Sequence, residues 1–293
     1  MEIRNKPLET KLKEEVHRRK VRYDIIEKDY ALSYVLFGIS NQSELSKCLI
    51  FKGGTCLKKC YFGDYRFSED LDFSTIGAPA GQLLENALKD AALIAKRYLI
   101  EHYGPFDIQI KRKIERKAHP RGQEAFDIRV KFPKHSNGLS CGIKIEITHD
   151  EPVLLTPVDM SIIHQYDEPF EITIACYPIE EIISEKLRAL LQTHEKIAQG
   201  KFRSRPRDYY DLWCVLKKYG EHLDKKKLID ILQMKCNHRQ VSYSSVDNFF
   251  TSILINEASR AWQNSLHLQI YELPDCEEVL AQTRVLVDRL LMV

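Results

Sequence analysis

The sequence has no long apolar run, no Cys-x-x-Cys pair and no strong excess of charge. No apolar stretch approaches the roughly 20 residues of a membrane-crossing helix, and the charged N-terminus has no apolar core typical of a secretory signal. The eight cysteines are scattered without a Cys-x-x-Cys spacing, which indicates small core residues and disfavours a zinc site on Cys56, Cys60 and a distant histidine. A net charge of +2 on 293 residues disfavours a surface adapted as a whole to nucleic acid. We expect a cytoplasmic protein that does not contact a membrane.

The most informative segment spans residues 51–74. A Gly-Gly-Thr turn at 53–55 follows a short apolar strand, and Asp70 and Asp72 come one residue apart further on. In an extended chain the two aspartates share a face, and the apolar residues beside them face the core. Adjacent carboxylates repel each other unless a cation lies between them, and oxygen ligands suit Mg²⁺. Because a turn rich in backbone N–H groups can receive phosphates, the segment predicts chemistry on a nucleoside triphosphate (NTP).

This segment resembles the motif of the AbiEii/MenT family of nucleotidyltransferase-like toxins, in the DNA polymerase β-type nucleotidyltransferase superfamily. The family pattern is a Gly-Gly-Thr turn with a lysine four residues after the threonine, then Arg-Phe-Ser-Glu-Asp, an apolar residue and Asp. Three further blocks, at 26–30, 179–191 and 207–212, also resemble family motifs. The matching residues of the central motif are Gly53, Gly54, Thr55, Lys59, Arg66, Phe67, Ser68, Glu69, Asp70, Leu71 and Asp72.

The resemblance implies an active site in which carboxylates hold two Mg²⁺ ions, with Mn²⁺ as a possible substitute, and act on an NTP. Asp70 and Asp72 supply two of the carboxylates. We predict Glu146 as the third, because it alternates with inward-facing isoleucines on a strand over 141–148. Asp127 and Asp107 compete for that role. The alternative for Glu146 is a surface side chain paired with Lys144.

The nucleotide-binding residues are predicted to be those of the motif that offer hydrogen bonds or positive charge. Lys59 is explained equally well as a solvated side chain, and Ser68 as the cap of a turn. On the helix that begins near residue 179, the resemblance implies that Lys186 binds the nucleotide phosphates and is part of the catalytic set. The predicted nucleotide-binding residues are Gly53, Gly54, Thr55, Lys59, Arg66, Ser68 and Lys186.

The block 207–212 resembles a family motif in which one acidic residue completes the active site. Asp208 and Asp211 lie three residues apart, hence on one helix face, and the spacing does not choose between them. Nearby basic residues are predicted to contact RNA phosphates: Arg203, Arg205 and Arg207. A second basic run at 111–121 is explained as well by a solvated strand end.

The pattern of the whole chain predicts an α+β protein with the nucleotidyltransferase fold, a mixed β-sheet flanked by helices, followed by a C-terminal helical bundle. Period-two alternation predicts strands near 106–114, 126–132 and 141–148. The proline-containing region 150–170 is predicted to be irregular. We place a catalytic α/β domain at 1–178 and a helical domain at 179–293.

Together these features predict a Mg²⁺-dependent enzyme that transfers a nucleoside monophosphate (NMP) from an NTP to an acceptor hydroxyl. The resemblance implies a growth-inhibiting toxin of a type IV toxin–antitoxin or abortive-infection pair, with the 3′ end of tRNA as acceptor and an antitoxin encoded nearby. Two alternatives stay open. One is a transferase of the same fold that modifies a protein or a small molecule, and the other is a catalytically silent module that binds RNA or a partner.

Overall fold

The computed structural model describes residues 6–113, 122–133, 140–201 and 204–292. The chain divides into two compact units, Met1–Cys176 and Tyr177–Val293. The first is a mixed sheet with helices and the second is helical, so the predicted α+β class is confirmed. None of the described helices is both long and apolar enough to span a membrane.

The first unit contains a seven-stranded sheet in the order β3-β4-β5-β2-β1-β7-β6 within the described ranges. Its strands are β1 Leu49–Lys52, β2 Asp70–Thr75, β3 Asp107–Arg112, β4 Gln123–Lys131, β5 Cys141–Thr148, β6 Val158–Ser161 and β7 Thr173–Cys176. Its helices are α1 Leu8–Arg19, α2 Tyr23–Asn41, α3 Leu45–Cys48, α4 Gly53–Cys56 and α5 Gln82–Tyr103, and a wider π-helical turn spans Leu57–Phe62.

One face of the sheet is apolar because every second residue of its central strands is a large hydrophobe. On β5 the isoleucines 143, 145 and 147 are at most 2% exposed, and Phe126 and Ile128 of β4 are fully buried. Helices α2 and α5 contribute further buried apolar side chains to the core of this unit. The opposite face carries the alternate, polar residues, which include the acidic motif.

The prediction of an irregular region over 150–170 is wrong in part. Residues Val158–Ser161 form β6, which pairs antiparallel with β7 at the edge of the sheet. The strand is four residues long and directly follows Pro157. Proline is tolerated at the start of an edge strand, where no neighbouring strand needs its missing N–H, so the prolines of this region did not exclude a strand.

A buried carboxylate, Glu168, ties α1 and α2 to the segment before β7. It accepts hydrogen bonds from Lys11 Nζ (3.0 Å), Tyr34 Oη (2.7 Å) and His164 Nε2 (2.8 Å), and its side chain is completely buried. Burial by itself raises the pKa of Glu168, but the hydrogen bonds from His164, Tyr34 and Lys11 outweigh it and lower the pKa to about 2. The native state therefore holds this carboxylate charged.

We expect this network to make the protein sensitive to acid. A carboxyl whose pKa is lower in the folded state stabilises the protein above its unfolded pKa, and that stability is lost as the pH falls towards the folded pKa. For Glu168 the window runs from the ordinary value of 4.5 down to about 2. Glu168→Gln should flatten the pH dependence of the melting temperature below about pH 5, because glutamine does not titrate. Each pKa unit of the lost shift corresponds to about 1.4 kcal/mol of stability. Wild-type and variant curves that stay parallel down to pH 3 would contradict this.

The second unit is built from helices α6 Ile179–Ala198, α7 Pro206–Tyr219, α8 Lys225–His238, α9 Ser252–Leu266 and α10 Cys276–Leu291. Buried side chains such as Leu187, Tyr209 and Trp262 fill its core. A 3₁₀ turn at Val246–Phe249 precedes α9. The Ser245 and Asn248 side chains form a reciprocal capping box at the N-terminus of that turn, so the turn begins as a separate helical element.

Candidate active site

The three predicted carboxylates lie on two adjacent strands, on the polar face of the sheet. Strands β2 and β5 run parallel, and their register places Asp72 directly beside Glu146 and Asp70 directly beside Lys144. On the other side, Lys52 of β1 is the register partner of Asp72. All five side chains are partly exposed. The structure therefore brings together the three carboxylates that the sequence predicted.

The two competing carboxylates lie farther from Asp72. Asp127 is on β4, which pairs with β5 and not with β2, so its register partner is Lys144. Asp107 is on β3, one strand farther still, and its Oδ1 accepts a hydrogen bond from Lys96 Nζ at 2.8 Å. Of the three candidates for the third carboxylate, Glu146 is thus the one adjacent to Asp72.

Lys144 supplies positive charge to this acidic cluster. Its ammonium forms an ion pair with Glu146, and both side chains are about one-third exposed (34% and 30%). Partial burial lowers the pKa of Lys144, but the hydrogen bond to Glu146 and the charges of Glu146, Asp70 and Asp72 raise it above its usual value. Glu146 is therefore paired with Lys144, as the alternative proposed, and it is also adjacent to Asp72. The sequence predicted the pair but gave Lys144 no role in the site.

The donor set of this cluster fits a magnesium ion. Its carboxylate oxygens come from neighbouring strands, lie on one exposed face and include no sulfur or imidazole ligand, which is the chemistry that Mg²⁺ prefers. A divalent cation would take over the charge compensation that Lys144 provides. Asp70, Asp72 and Glu146 are the residues able to hold it.

The Gly-Gly-Thr segment is a short helical turn, α4, that packs closely against the acidic strand. Gly53 has φ +82°, and a Cβ added there would overlap Asp72 Oδ2. A Cβ on Gly54 would overlap the Arg66 guanidinium and lie 3.4 Å from Ser68 Oγ. The Thr55 hydroxyl donates to the Asp70 carbonyl oxygen. The positive φ of Gly53 favours glycine there, and a side chain at position 54 would have to displace the Arg66 guanidinium.

Lys59 has a different environment from the one the sequence suggested. It is 1% exposed, and its ammonium donates to Asp29 Oδ2 at 2.8 Å and to Ser33 Oγ at 2.9 Å. Tyr166 Oη also donates to Asp29 Oδ2, at 3.0 Å. Burial raises the pKa of Asp29, but the charges of Lys59 and Lys58 lower it to about 2. A solvated Lys59 is therefore wrong, and its role in nucleotide binding stays a prediction.

The remaining charged residues of the motif are also held in place. Arg66 is 4% exposed and donates to the Phe67 carbonyl oxygen at 3.3 Å. Glu69 forms an ion pair with Lys28 Nζ at 3.1 Å. Lys28 and Asp29 belong to the motif block at 26–30. Through them, this block contacts Glu69 and Lys59 of the central motif.

In the second unit, Lys186 and the two acids of the 207–212 block form one cluster. Lys186 Nζ lies 2.9 Å from Asp208 Oδ1 and 2.6 Å from Asp211 Oδ2, and Asp211 is completely buried. Burial raises the pKa of Asp208, but the positive charges of Lys186 and Arg205 outweigh it and hold the pKa below its usual value. Both acids contact the same ammonium, so the geometry does not distinguish their roles.

The arginines predicted to bind RNA have contacts inside the second unit. Arg205 Nη1 lies 3.0 Å from Asp208 Oδ2, and its Nε donates to Thr193 Oγ1 at 3.1 Å. Arg207 Nε lies 3.4 Å from the Ser265 carbonyl oxygen. Arg203 and residues 114–121 of the other basic run lie outside the described residues. RNA binding by these arginines stays a prediction.

Comparison with models of protein families identifies the family of this chain. The family model of the AbiEii nucleotidyl transferase toxins, of type IV toxin–antitoxin systems, matches residues 34–283. The chain belongs to this family. The match includes the acidic strand, Glu146, Lys186 and the 207–212 block and begins after the 26–30 block, so the resemblance to the family is confirmed.

Two solved structures share the fold of this chain. The crystal structure of JHP933 from Helicobacter pylori superposes with a TM-score of 0.57 at 19% identity, covering 92% of this chain and 93% of that one. A candidate nucleotidyltransferase from H. pylori gives a TM-score of 0.55 at 18% identity, covering 91% and 94%. No curated protein matches the chain in sequence. At these identities the structures establish the fold.

Within this AbiEii protein, the Lys186 cluster allows a direct test. Lys186→Met would leave Asp211 buried without its ammonium, and breaking a buried ion pair from one side costs about 3–5 kcal/mol. We expect a clear fall in melting temperature. Arg207→Met is the matched control, because its guanidinium contacts a carbonyl and not a carboxylate in the described structure. An unchanged melting temperature with a raised KM for NTP would instead assign Lys186 to the substrate.

Proposed function

We propose that this AbiEii-family protein is a Mg²⁺-dependent nucleotidyltransferase that transfers NMP from an NTP to the 3′ end of tRNA, and so inhibits growth. The observation that carries the proposal is the direct pairing of Asp72 with Glu146 across β2 and β5, with Asp70 on the same face. A binding module has no need of three carboxylates gathered on one exposed sheet face, where they repel each other.

The reaction forms a bond between an acceptor hydroxyl oxygen and the α-phosphorus, and breaks the bond from that phosphorus to pyrophosphate. When bound, Mg²⁺ supplies charge stabilisation for the entering and leaving oxygens. Asp70 and Asp72 would hold the ion from one strand and Glu146 from the next. The Glu146 carboxylate, which is paired with Lys144 in this structure, would also accept the proton of the attacking hydroxyl after release from Lys144.

The backbone of α4 is the proposed cradle for the triphosphate. Gly53 and Gly54 bring the main chain against Asp72 and Arg66, so phosphates bound to α4 would lie next to the carboxylates. The Arg66 guanidinium, fixed by burial, would add positive charge beside Ser68. The toxin function follows from the family, and we propose a cognate antitoxin as its partner.

The decisive experiment incubates the purified protein with tRNA, MgCl₂ and each of the four α-³²P-labelled NTPs in turn. We expect label on tRNA with at least one NTP, and none on tRNA whose 3′-terminal ribose has been oxidised with periodate. Replacing Mg²⁺ with EDTA should abolish labelling. A parallel reaction with MnCl₂ tests whether that ion substitutes.

Other outcomes would contradict the proposed acceptor. Label on protein, or on a small molecule in a cell extract, with none on tRNA would support a transferase of the same fold with another acceptor. No transfer with any NTP and either ion would favour a binding module. Labelling that survives periodate oxidation would place the modification away from the 3′ end.

A further inference from the structure

Three buried cysteines that are far apart in the sequence meet in the first unit. The Sγ atoms of Cys56, Cys60 and Cys176 all lie within 4.8 Å of one another, and these residues are 0%, 4% and 0% exposed. Cys56 ends α4, Cys60 lies in the π-helical turn that follows, and Cys176 ends β7. The sequence disfavoured a zinc site on Cys56, Cys60 and a distant histidine, because the cysteines are scattered without a Cys-x-x-Cys spacing.

We infer that these three thiols form a binding site for a thiophilic metal ion, Zn²⁺ or Cu⁺. Thiolates select these ions over hard cations such as Mg²⁺. The site is separate from the carboxylate cluster, and its ligand set of three sulfurs has nothing in common with it. It adds a second, structural metal to the protein and does not depend on the proposed transfer reaction.

The geometry needs little adjustment to hold an ion. Tetrahedral zinc with Zn–S bonds of about 2.3 Å separates its sulfurs by about 3.8 Å, so the thiols would close by about 1 Å at most. Cys56 and Cys60 reach one point because they lie four residues apart on one side of the helical turn. The Gly63 N–H to Lys58 carbonyl bond (2.9 Å) shows the wider winding after Cys56, and such π-bulges occur frequently at functional sites.

The surroundings of the sulfurs favour this chemistry. The three sulfurs are shielded from solvent and lie close enough together for one ion to contact all of them. Cu⁺ would be satisfied by the three thiolates, whereas zinc would take a fourth ligand.

Binding would release the thiol protons to solvent and form three metal–sulfur bonds, with no change of oxidation state. The Cys176 Sγ contact with the Val158 carbonyl oxygen, 3.4 Å long, would be given up. The ion would then join α4, which carries the Gly-Gly turn, to strand β7. The ion would therefore fix the base of α4 relative to the sheet.

The test uses Cd²⁺ as a probe, because cadmium thiolates absorb in the ultraviolet through charge transfer. The full chain, freed of metal by a chelator under a non-thiol reductant, is titrated with Cd²⁺. We expect the band to saturate at one equivalent per chain and the melting temperature to rise. Competition with Zn²⁺ and with Cu⁺ then shows which ion displaces cadmium, and elemental analysis of freshly purified protein identifies the resident ion.

Variants locate the site. Cys60→Ser should remove most of the band, and Cys276→Ser, a cysteine of the second unit hydrogen-bonded to Ser259, should keep it. If Cys60→Ser does not fold, Cys56→Ala is the substitute, and the wild-type titration stands by itself. No band in the wild type, an equal band in Cys60→Ser, or a mass two hydrogens lower that marks a disulfide among the three cysteines would overturn the inference.

Discussion

Replacing Asp72 by asparagine is expected to lower kcat for nucleotidyl transfer by about 10³-fold or more while the protein stays folded. Asparagine keeps the shape that fits beside Gly53 but removes the charge that a divalent cation requires. Metal stabilisation of the transition state is worth several kcal/mol, and each 1.36 kcal/mol corresponds to about tenfold in rate. The melting temperature should change little, because Asp72 is partly exposed and removing its charge relieves repulsion within the cluster.

The matched control is Asp127→Asn. Asp127 lies on the same sheet face and is in register with Lys144, but its strand does not pair with β2. We expect this variant to keep most of the activity. Equal losses in both variants would show that the general negative potential of the face matters, and not a specific ligand set. A large fall in the melting temperature of the Asp72 variant would show that Asp72 is structural.

The sequence predicted the part of the site that lies on regular strands. Alternating isoleucines fixed which face of β5 is buried, and therefore placed Glu146 on the polar face with Asp70 and Asp72. A one-residue shift would have moved every isoleucine out of the core, so the facing of such a strand is strongly determined. The sequences of β4 and β5 do not show which of these two strands pairs with β2.

What the sequence could not show are contacts between distant segments. Nothing near Lys59 indicates that Asp29, on α2, takes its ammonium, or that Tyr166 donates to the same carboxylate. Cys176 gives no sign that it meets Cys56. In each case the partner is set by how α2, α4 and β7 pack together. A single polar residue has no periodic pattern that would predict this packing.

Replacing Lys59 by methionine is expected to destabilise the protein by about 3–5 kcal/mol. The change removes one member of a buried ion pair and leaves Asp29, only 5% exposed, without its closest positive charge. The pKa of Asp29, now about 2, should rise, because burial favours the neutral carboxyl once Lys59 is gone. Chemical denaturation at pH 7 measures the loss directly. The double variant with Asp29→Asn should recover part of it, since both charges are then absent.

Lys58→Met is the matched control, because Lys58 is adjacent and also buried at 3% exposure. Its ammonium donates to the Gly63 carbonyl oxygen at 3.2 Å and lies 3.9 Å from Asp29, and burial lowers its pKa to about 8. Losing a cation that is already costly to bury should destabilise the protein less than losing Lys59. Equal stability of the Lys59 variant and the wild type, with a KM for NTP raised tenfold or more, would show that Lys59 leaves Asp29 to bind phosphate. In that case the ion pair describes only the state without nucleotide.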